Sequence, residues 1–199
     1  MKATGHSNRE TEIKLPVHGA STARRMLRAA GFRVSRRRVF EANTVFDTPE
    51  KALRVSGRVL RIRQAGNRAI LTYKGKAGPT RYKSREELEV AVTGASDTAA
   101  ILERLGFVPM FRYEKFRTEL EQPGHRGMAT IDETPIGTYL ELEGAPRWID
   151  RTARALGFGP PDYITASYGR LYLEWCAREG REPSHMVFEK RPKASTRKP

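Results

Sequence analysis

The 199-residue chain carries 37 Lys and Arg against 23 Asp and Glu, a formal charge of +14, with 38% apolar and 30% charged residues. That length suits one domain, the apolar fraction suffices for one core, and the basic excess points to a polyanionic partner: nucleic acid, anionic lipid or a small phosphate-rich molecule. No apolar run approaches roughly 18 residues, which excludes a helical membrane span. Residues 1–9 lack the apolar stretch of a secretory signal, and a single cysteine, Cys176, precludes an internal disulfide. A reducing cytoplasm is the expected location. The four histidines are scattered, with no partner at helical ligand spacing, so a zinc site is not expected.

In chain order, a first strand is expected over 9–15. Ser21 can cap a helix with Ala23, Met26, Leu27 and Ala30 inward, stopped by Gly31-Phe32. Strands follow over 38–47, 57–65, 69–75 and 84–92, punctuated by Asp47-Thr-Pro, Gly66-Asn67 and the stretch 75–79. Ser96 or Asp97 can cap a second helix with Ile101, Leu102 and Leu105 inward, stopped by Gly106-Phe107. Strands over 111–121, 127–133 and 138–144 come next. A third helix near Pro146 turns Ile149, Ala153 and Leu156 inward and stops at Gly157-Phe158. A fourth is expected over 168–178 with Leu171, Trp175 and Tyr172 inward. The domain is expected to occupy 1–180, and residues 181–199 to form a basic, disordered tail.

Charge in these strands follows the strand period. Glu10, Glu12 and Lys14 share one parity, as do Arg61 and Arg63, then Arg85, Glu87 and Glu89, then Lys115 and Arg117, then Glu141 and Glu143. For any single strand the ordinary explanation is a solvated outer face. For the set, the apolar helix stripes need a surface to cover, and the apolar strand face is the obvious one. A sheet closed with its charged face inward makes a tunnel whose charges demand a ligand. Arg and Lys suit phosphate oxygens, while crowded carboxylates suit a hard divalent cation.

Glu10-Thr-Glu-Ile-Lys14 resembles the Glu-x-Glu-x-Lys signature of the CYTH, or triphosphate tunnel metalloenzyme, superfamily, which includes class IV adenylate cyclases, thiamine triphosphatases and inorganic triphosphatases. The resemblance continues in order through Phe46-Asp-Thr-Pro49, Leu60-Arg-Ile-Arg63, Leu71-Thr-Tyr-Lys-Gly75, Arg85-Glu-Glu-Leu-Glu89, Lys115-Phe-Arg117, Ile131-Asp132 with Gly137, Glu141-Leu-Glu143 and Ser167-Tyr168. It covers residues 9–175. It implies an α+β fold: an eight-stranded antiparallel β-barrel, the triphosphate tunnel, with helices packed outside. It also implies metal ligation (Mg²⁺ or Mn²⁺) by Glu10, Glu12, Asp132, Glu141 and Glu143, and a phosphate grip by Lys14, Arg61, Arg63, Lys74, Arg85, Lys115 and Arg117. Glu87 and Glu89 would be further tunnel acids, and Glu10, Glu12, Lys14, Arg61 and Arg63 the residues closest to the reaction. The sequence departs from the cyclase-like branch at Glu41, Asn43 and Val45, where Gln-x-Asp-x-Tyr is common.

The expected activity is metal-dependent hydrolysis of a triphosphate: inorganic triphosphate, thiamine triphosphate or a nucleoside triphosphate. The alternative in the same tunnel is an adenylate cyclase releasing cyclic AMP and pyrophosphate. A third, non-catalytic reading is a binder of polyphosphate or nucleic acid through a basic exterior that includes Arg24, Arg25, Arg28, Arg33 and residues 36–38. A homodimer is compatible with all three.

Overall fold

In the computed structural model, which describes residues 9–189, eight antiparallel strands close into a barrel. They are β1 (Arg9–Val17), β2 (Arg33–Asp47), β3 (Val59–Ala65), β4 (Arg68–Lys74), β5 (Lys83–Val92), β6 (Val108–Glu121), β7 (Met128–Thr134) and β8 (Gly137–Glu143). Their order around the barrel is β1-β5-β4-β3-β2-β6-β7-β8. β1 closes the ring by changing partners midway: Glu12 stands opposite Lys83 of β5 on one side and Glu143 of β8 on the other. Five helices join the strands: α1 (Ala20–Ala29), α2 (Ala52–Val55), α3 (Ala95–Arg104), α4 (Pro146–Ala155) and α5 (Tyr168–Glu179).

The alternation of the strands is inverted relative to an ordinary half-buried sheet. Ile13 and Leu15 of β1, Ala129 and Ile131 of β7 and Leu140 and Leu142 of β8 point outward. There Leu27 of α1 and Ile149 and Ala153 of α4 bury them in the main apolar cluster. The core therefore lies between barrel and helices, and the interior is left to the charged parity. A second cluster of Tyr113, Tyr168, Tyr172, Cys176 and Met186 packs α5 against β6.

The three expected Gly-Phe stops share one geometry. Gly31, Gly106 and Gly157 have φ of 83°, 88° and 86°, and the Phe after each donates its amide back to Leu27, Leu102 and Ala153, at 2.9, 3.0 and 2.9 Å. This is the six-to-one bond of a Schellman ending, and it needs a residue free to adopt the left-handed conformation.

Several expectations shift. α1 and α3 begin after Gly19 and Gly94, so Ser21, Ser96 and Asp97 lie inside helices rather than capping them. α3 seats only Leu102 fully, beside Ala95, Ala99 and Phe107. Ile101 and Leu105 are 59% and 68% exposed, because the helix meets the sheet along a narrow line. β2 starts at Arg33 rather than 38. Its polar start carries no apolar alternation; cross-strand charge holds it, with Arg36 Nη1 3.1 Å from Glu119 and Arg38 Nε 2.8 Å from Glu133. α2 was not expected. Asp47, within the Phe46-Asp-Thr-Pro49 motif, nucleates it: Oδ1 accepts from the amides of Thr48 and Leu53 (both 2.8 Å) and Oδ2 from that of Arg54 (2.9 Å).

The expected tail boundary at 180 also falls too early. Within 181–189, residues 181–185 are exposed but Met186 is fully buried, exchanges backbone hydrogen bonds with Arg112 and Glu114, and lies parallel to β6 at Tyr113. The rest of that segment, 190–199, lies outside the described residues.

Candidate active site: a charged tunnel

Strand periodicity and register determine which side chains meet inside. On β1, Glu10, Glu12 and Lys14 face inward; β5 brings Lys83 and Arg85 beside them, with Glu87 and Glu89 further along against β4, and β8 brings Glu141 and Glu143. Lys74 Nζ lies 2.6 Å from Glu10 Oε2 and 2.9 Å from Glu87 Oε1. Lys14 Nζ and Lys83 Nζ each lie 3.0 Å from Glu12 Oε1, and Arg85 Nε is 3.8 Å from Glu10.

These acids are unequally neutralised. Burial and the charges of Glu12 and Glu87 push Glu10 up to about 7 against the pull of Lys74. Burial and the charges of Glu12, Glu87 and Glu141 push Glu143 up to about 7 as well. Glu12 behaves oppositely: burial works against its charge, but Lys14, Lys83 and Lys74 hold it well below the usual carboxylate range. Burial drives Lys83 down to about 8, with Lys14 and Arg85 adding to the effect.

The other wall is cationic. Asp132, fully buried, accepts from Lys115 Nζ (2.7 Å), from Arg117 on both oxygens (2.7 and 2.6 Å) and from the hydroxyl of Tyr168 (2.7 Å). Arg117 also binds Glu141, whose other oxygen lies 3.3 Å from Lys14. Although burial opposes its charge, Arg117 and Lys115 hold Asp132 far below its ordinary value. Arg61 donates to the Tyr113 hydroxyl (3.0 Å) and Thr72 (3.2 Å), and Arg61 and Arg63 share Glu89 Oε1 at 3.4 and 3.3 Å.

The interior thus brings the expected residues together but divides them differently. The five acids expected to hold a metal split into two groups. Glu10 and Glu143 are both raised by the charges of Glu12 and Glu87, Glu12 itself being held ionised by its lysines, whereas Asp132 and Glu141 belong to the cationic wall, where Lys115, Arg117 and Lys14 neutralise them. Among the described residues, no three His, Cys, Asp or Glu side chains are preassembled as a metal site. Four tunnel residues had been given no role by the sequence: Lys83, Glu41, Tyr113 and Tyr168. Lys83 shares the parity of Arg85 two residues on, a signal that was available. Glu41 sits 3.7 Å from Lys115 at the position of the departure noted above. The aromatic hydroxyls carry no periodic signature.

Among the described residues, several buried polar atoms of the tunnel make no hydrogen bond, although two of them lie within ion-pair distance of a charged group: both side-chain polar atoms of Asn43, Nε of Arg61, Nε of Arg85 and Oε2 of Glu41. Buried polar groups are normally satisfied, so each of these exceptions calls for a partner beyond the chain's own side chains, such as a water or an ion.

The family model described as the CYTH domain matches residues 8–195, and the chain belongs to that family. It is 28% identical over 135 residues to a candidate adenylate cyclase of Methanocaldococcus jannaschii, covering 67% of this chain and 75% of that protein. Its fold matches a Pyrococcus horikoshii structure with a TM-score of 0.72 at 24% identity, covering 83% of this chain and 98% of the other. It also matches a Hippeastrum protein, named as a candidate adenylyl cyclase with a dominant triphosphatase activity, with a TM-score of 0.60 at 20% identity over 87% and 97% of the two chains. No described helix is long and apolar enough to cross a membrane.

Proposed function

We propose that the tunnel hydrolyses a triphosphate with the help of a divalent cation. The observation that carries this reading is the pairing of an under-neutralised acidic wall with a cationic wall whose buried donors are incompletely satisfied. Glu10, Glu12 and Glu143 are hard oxygen donors, and a divalent cation would offset the charge of Glu12 that raises the other two, so the residues fit Mg²⁺ or Mn²⁺. Bound there, the ion would supply charge neutralisation for phosphate oxygens and for the leaving group.

The chain's own groups do the rest. Arg61, Arg63 and Arg85 give planar, forked donors to phosphate oxygens, and Lys14, Lys74, Lys83 and Lys115 give point charges around them. Their mutual ion pairs with Glu89, Glu87 and Glu12 hold the heads in place before substrate arrives, so little reorganisation accompanies the reaction. The polyanion exchanges these partners for its own oxygens. A carboxylate of the acidic wall orients the attacking water.

Hydrolysis is favoured over cyclisation by the aromatic groups. Cyclisation needs a place for adenine. Tyr113 and Tyr168 commit their hydroxyls to Arg61 and Asp132 and their rings to each other at 6.1 Å, so neither is open to stack a base. The name of the Hippeastrum relative couples both activities to one fold, so the test must separate them. ATP incubated with the purified chain and Mg²⁺ or Mn²⁺ should release orthophosphate, and chelation should stop it. Cyclic AMP with pyrophosphate would transfer the assignment to the cyclase.

A further inference from the structure

The tunnel's cations face carboxylates, so the +14 charge resides elsewhere. α1 lies on β7 and β1, and α4 on β8 and β1, so the two helices are neighbours on one side of the barrel. Phe32, just past α1, meets Trp148 of α4 edge-on at 6.1 Å. The turn between β6 and β7 joins them: Gln122 donates to the Ala30 carbonyl (3.0 Å), and Arg151 lies 3.3 Å from His125 Nδ1. Gly127 passes so close to Trp148 that a side chain there would overlap the indole. The face is therefore continuous and rigid.

Its outward side carries Arg25 and Arg28 of α1, Arg33 at the start of β2, and Arg147, Arg151 and Arg154 of α4. All six are exposed, and among the described residues none has a carboxylate oxygen within 4.0 Å. Their neighbours Arg36 and Arg38 do have acid partners, Glu119 and Glu133. Arg147 and Arg151 are four apart on one helix, a like-charge spacing that disfavours the helix. Folding does not call for these arginines to cluster.

We propose that this face binds the phosphate backbone of duplex nucleic acid, without sequence selection. Guanidinium groups match phosphate oxygens bidentately, and a rigid array of them acts on the backbone alone. Single-stranded nucleic acid would need stacking platforms, yet no aromatic side chain is exposed among the described residues. Insertion into a membrane surface would need the apolar sides of α1 and α4 turned outward. Those sides, Ala23 and Leu27 and then Trp148, Ile149 and Ala153, are buried on the barrel. This binding is independent of the tunnel reading.

The test uses the full chain and a labelled duplex, followed by fluorescence anisotropy over a salt series. A variant combining Arg25→Gln, Arg28→Gln, Arg147→Gln and Arg151→Gln keeps residues 190–199, so their basic side chains cannot produce a difference. A control combines Arg54→Gln, Arg58→Gln, Arg68→Gln and Arg104→Gln, exposed positions on other elements. Wild type should bind with steep salt dependence, and the first variant should lose about 0.9 of the log–log slope for each phosphate contact removed. The control should keep most of the wild-type slope. Equal losses in both variants, no binding by wild type, or binding of phosphatidylserine vesicles but not of the duplex would each overturn the proposal. As a check independent of variants, phenylglyoxal labelling of wild type should show Arg25, Arg28, Arg147 and Arg151 protected by the duplex; full labelling in its presence counts against it.

Discussion

Lys74 Nζ stands 2.6 Å from Glu10 Oε2, yet Glu10 is pushed up to about 7. One ammonium does not offset burial together with Glu12 and Glu87, because Lys74 is shared with Glu87 at 2.9 Å. The acidic wall is thus short of positive charge.

Neutralising one of these acids should therefore stabilise the metal-free protein. In Glu143→Gln, measured with a chelator by thermal unfolding, the midpoint should rise by a few degrees, the shift expected for about 1 kcal/mol. The same variant should lose most of the stabilisation that Mn²⁺ gives wild type. A lower midpoint without metal would show that Glu143 is already well compensated.

Arg61 donates at once to Tyr113, Thr72 and Glu89, a fork that an ammonium cannot reproduce. Arg61→Lys should keep the charge yet lower kcat/KM for triphosphate by about 10- to 100-fold, or roughly 1.4–2.7 kcal/mol of transition-state stabilisation. Steady-state kinetics with orthophosphate detection would read this directly. Wild-type kinetics in Arg61→Lys would mean that only the charge matters.

Tyr168, at the start of α5, donates its hydroxyl to Asp132 and is pushed well above the ordinary tyrosine value by burial and by the charges of Asp132 and Glu141. Tyr168→Phe leaves a buried carboxylate one donor short and should cost about 1–3 kcal/mol in urea unfolding. Asp132 itself titrates far below the unfolded carboxylate value because Arg117 and Lys115 favour its charge. Its stabilising contribution is present above that unfolded value and is lost as pH falls through it toward the folded one. The stability gap between wild type and Asp132→Asn should accordingly narrow below about pH 4. A gap constant down to pH 2 would contradict the pairing.

Asp47 gathers three backbone amides at the end of β2, away from the charged walls. Asp47→Ala should destabilise the chain by about 1–2 kcal/mol, with kcat little changed. A large fall in kcat at full stability would give Asp47 a role in the reaction.

The barrel was legible because charge, rather than apolarity, follows the strand period. Glu10, Glu12 and Lys14 share a parity that only an inward charged face explains once Ile13 and Leu15 are needed for the helices. The Gly-Phe endings were legible for a similarly local reason, the left-handed residue followed by an apolar one. What escaped depends on partners distant in sequence. β2 begins at Arg33 because Glu119 and Glu133 lie across from Arg36 and Arg38, more than eighty residues away. The division of the acids between two walls follows from Lys115 and Arg117 reaching Asp132 and Glu141 across neighbouring strands, which no local pattern encodes. Met186 belongs to the fold through one buried side chain in a charged segment.

The most direct test of the account is a phosphorus NMR time course of inorganic triphosphate with Mg²⁺, comparing wild type with a Glu10→Gln, Glu12→Gln double variant of confirmed fold. Wild type should convert triphosphate to equimolar pyrophosphate and orthophosphate, and the variant should leave it intact. Triphosphate unchanged by wild type, or consumed equally by the variant, would contradict the tunnel as the hydrolytic site.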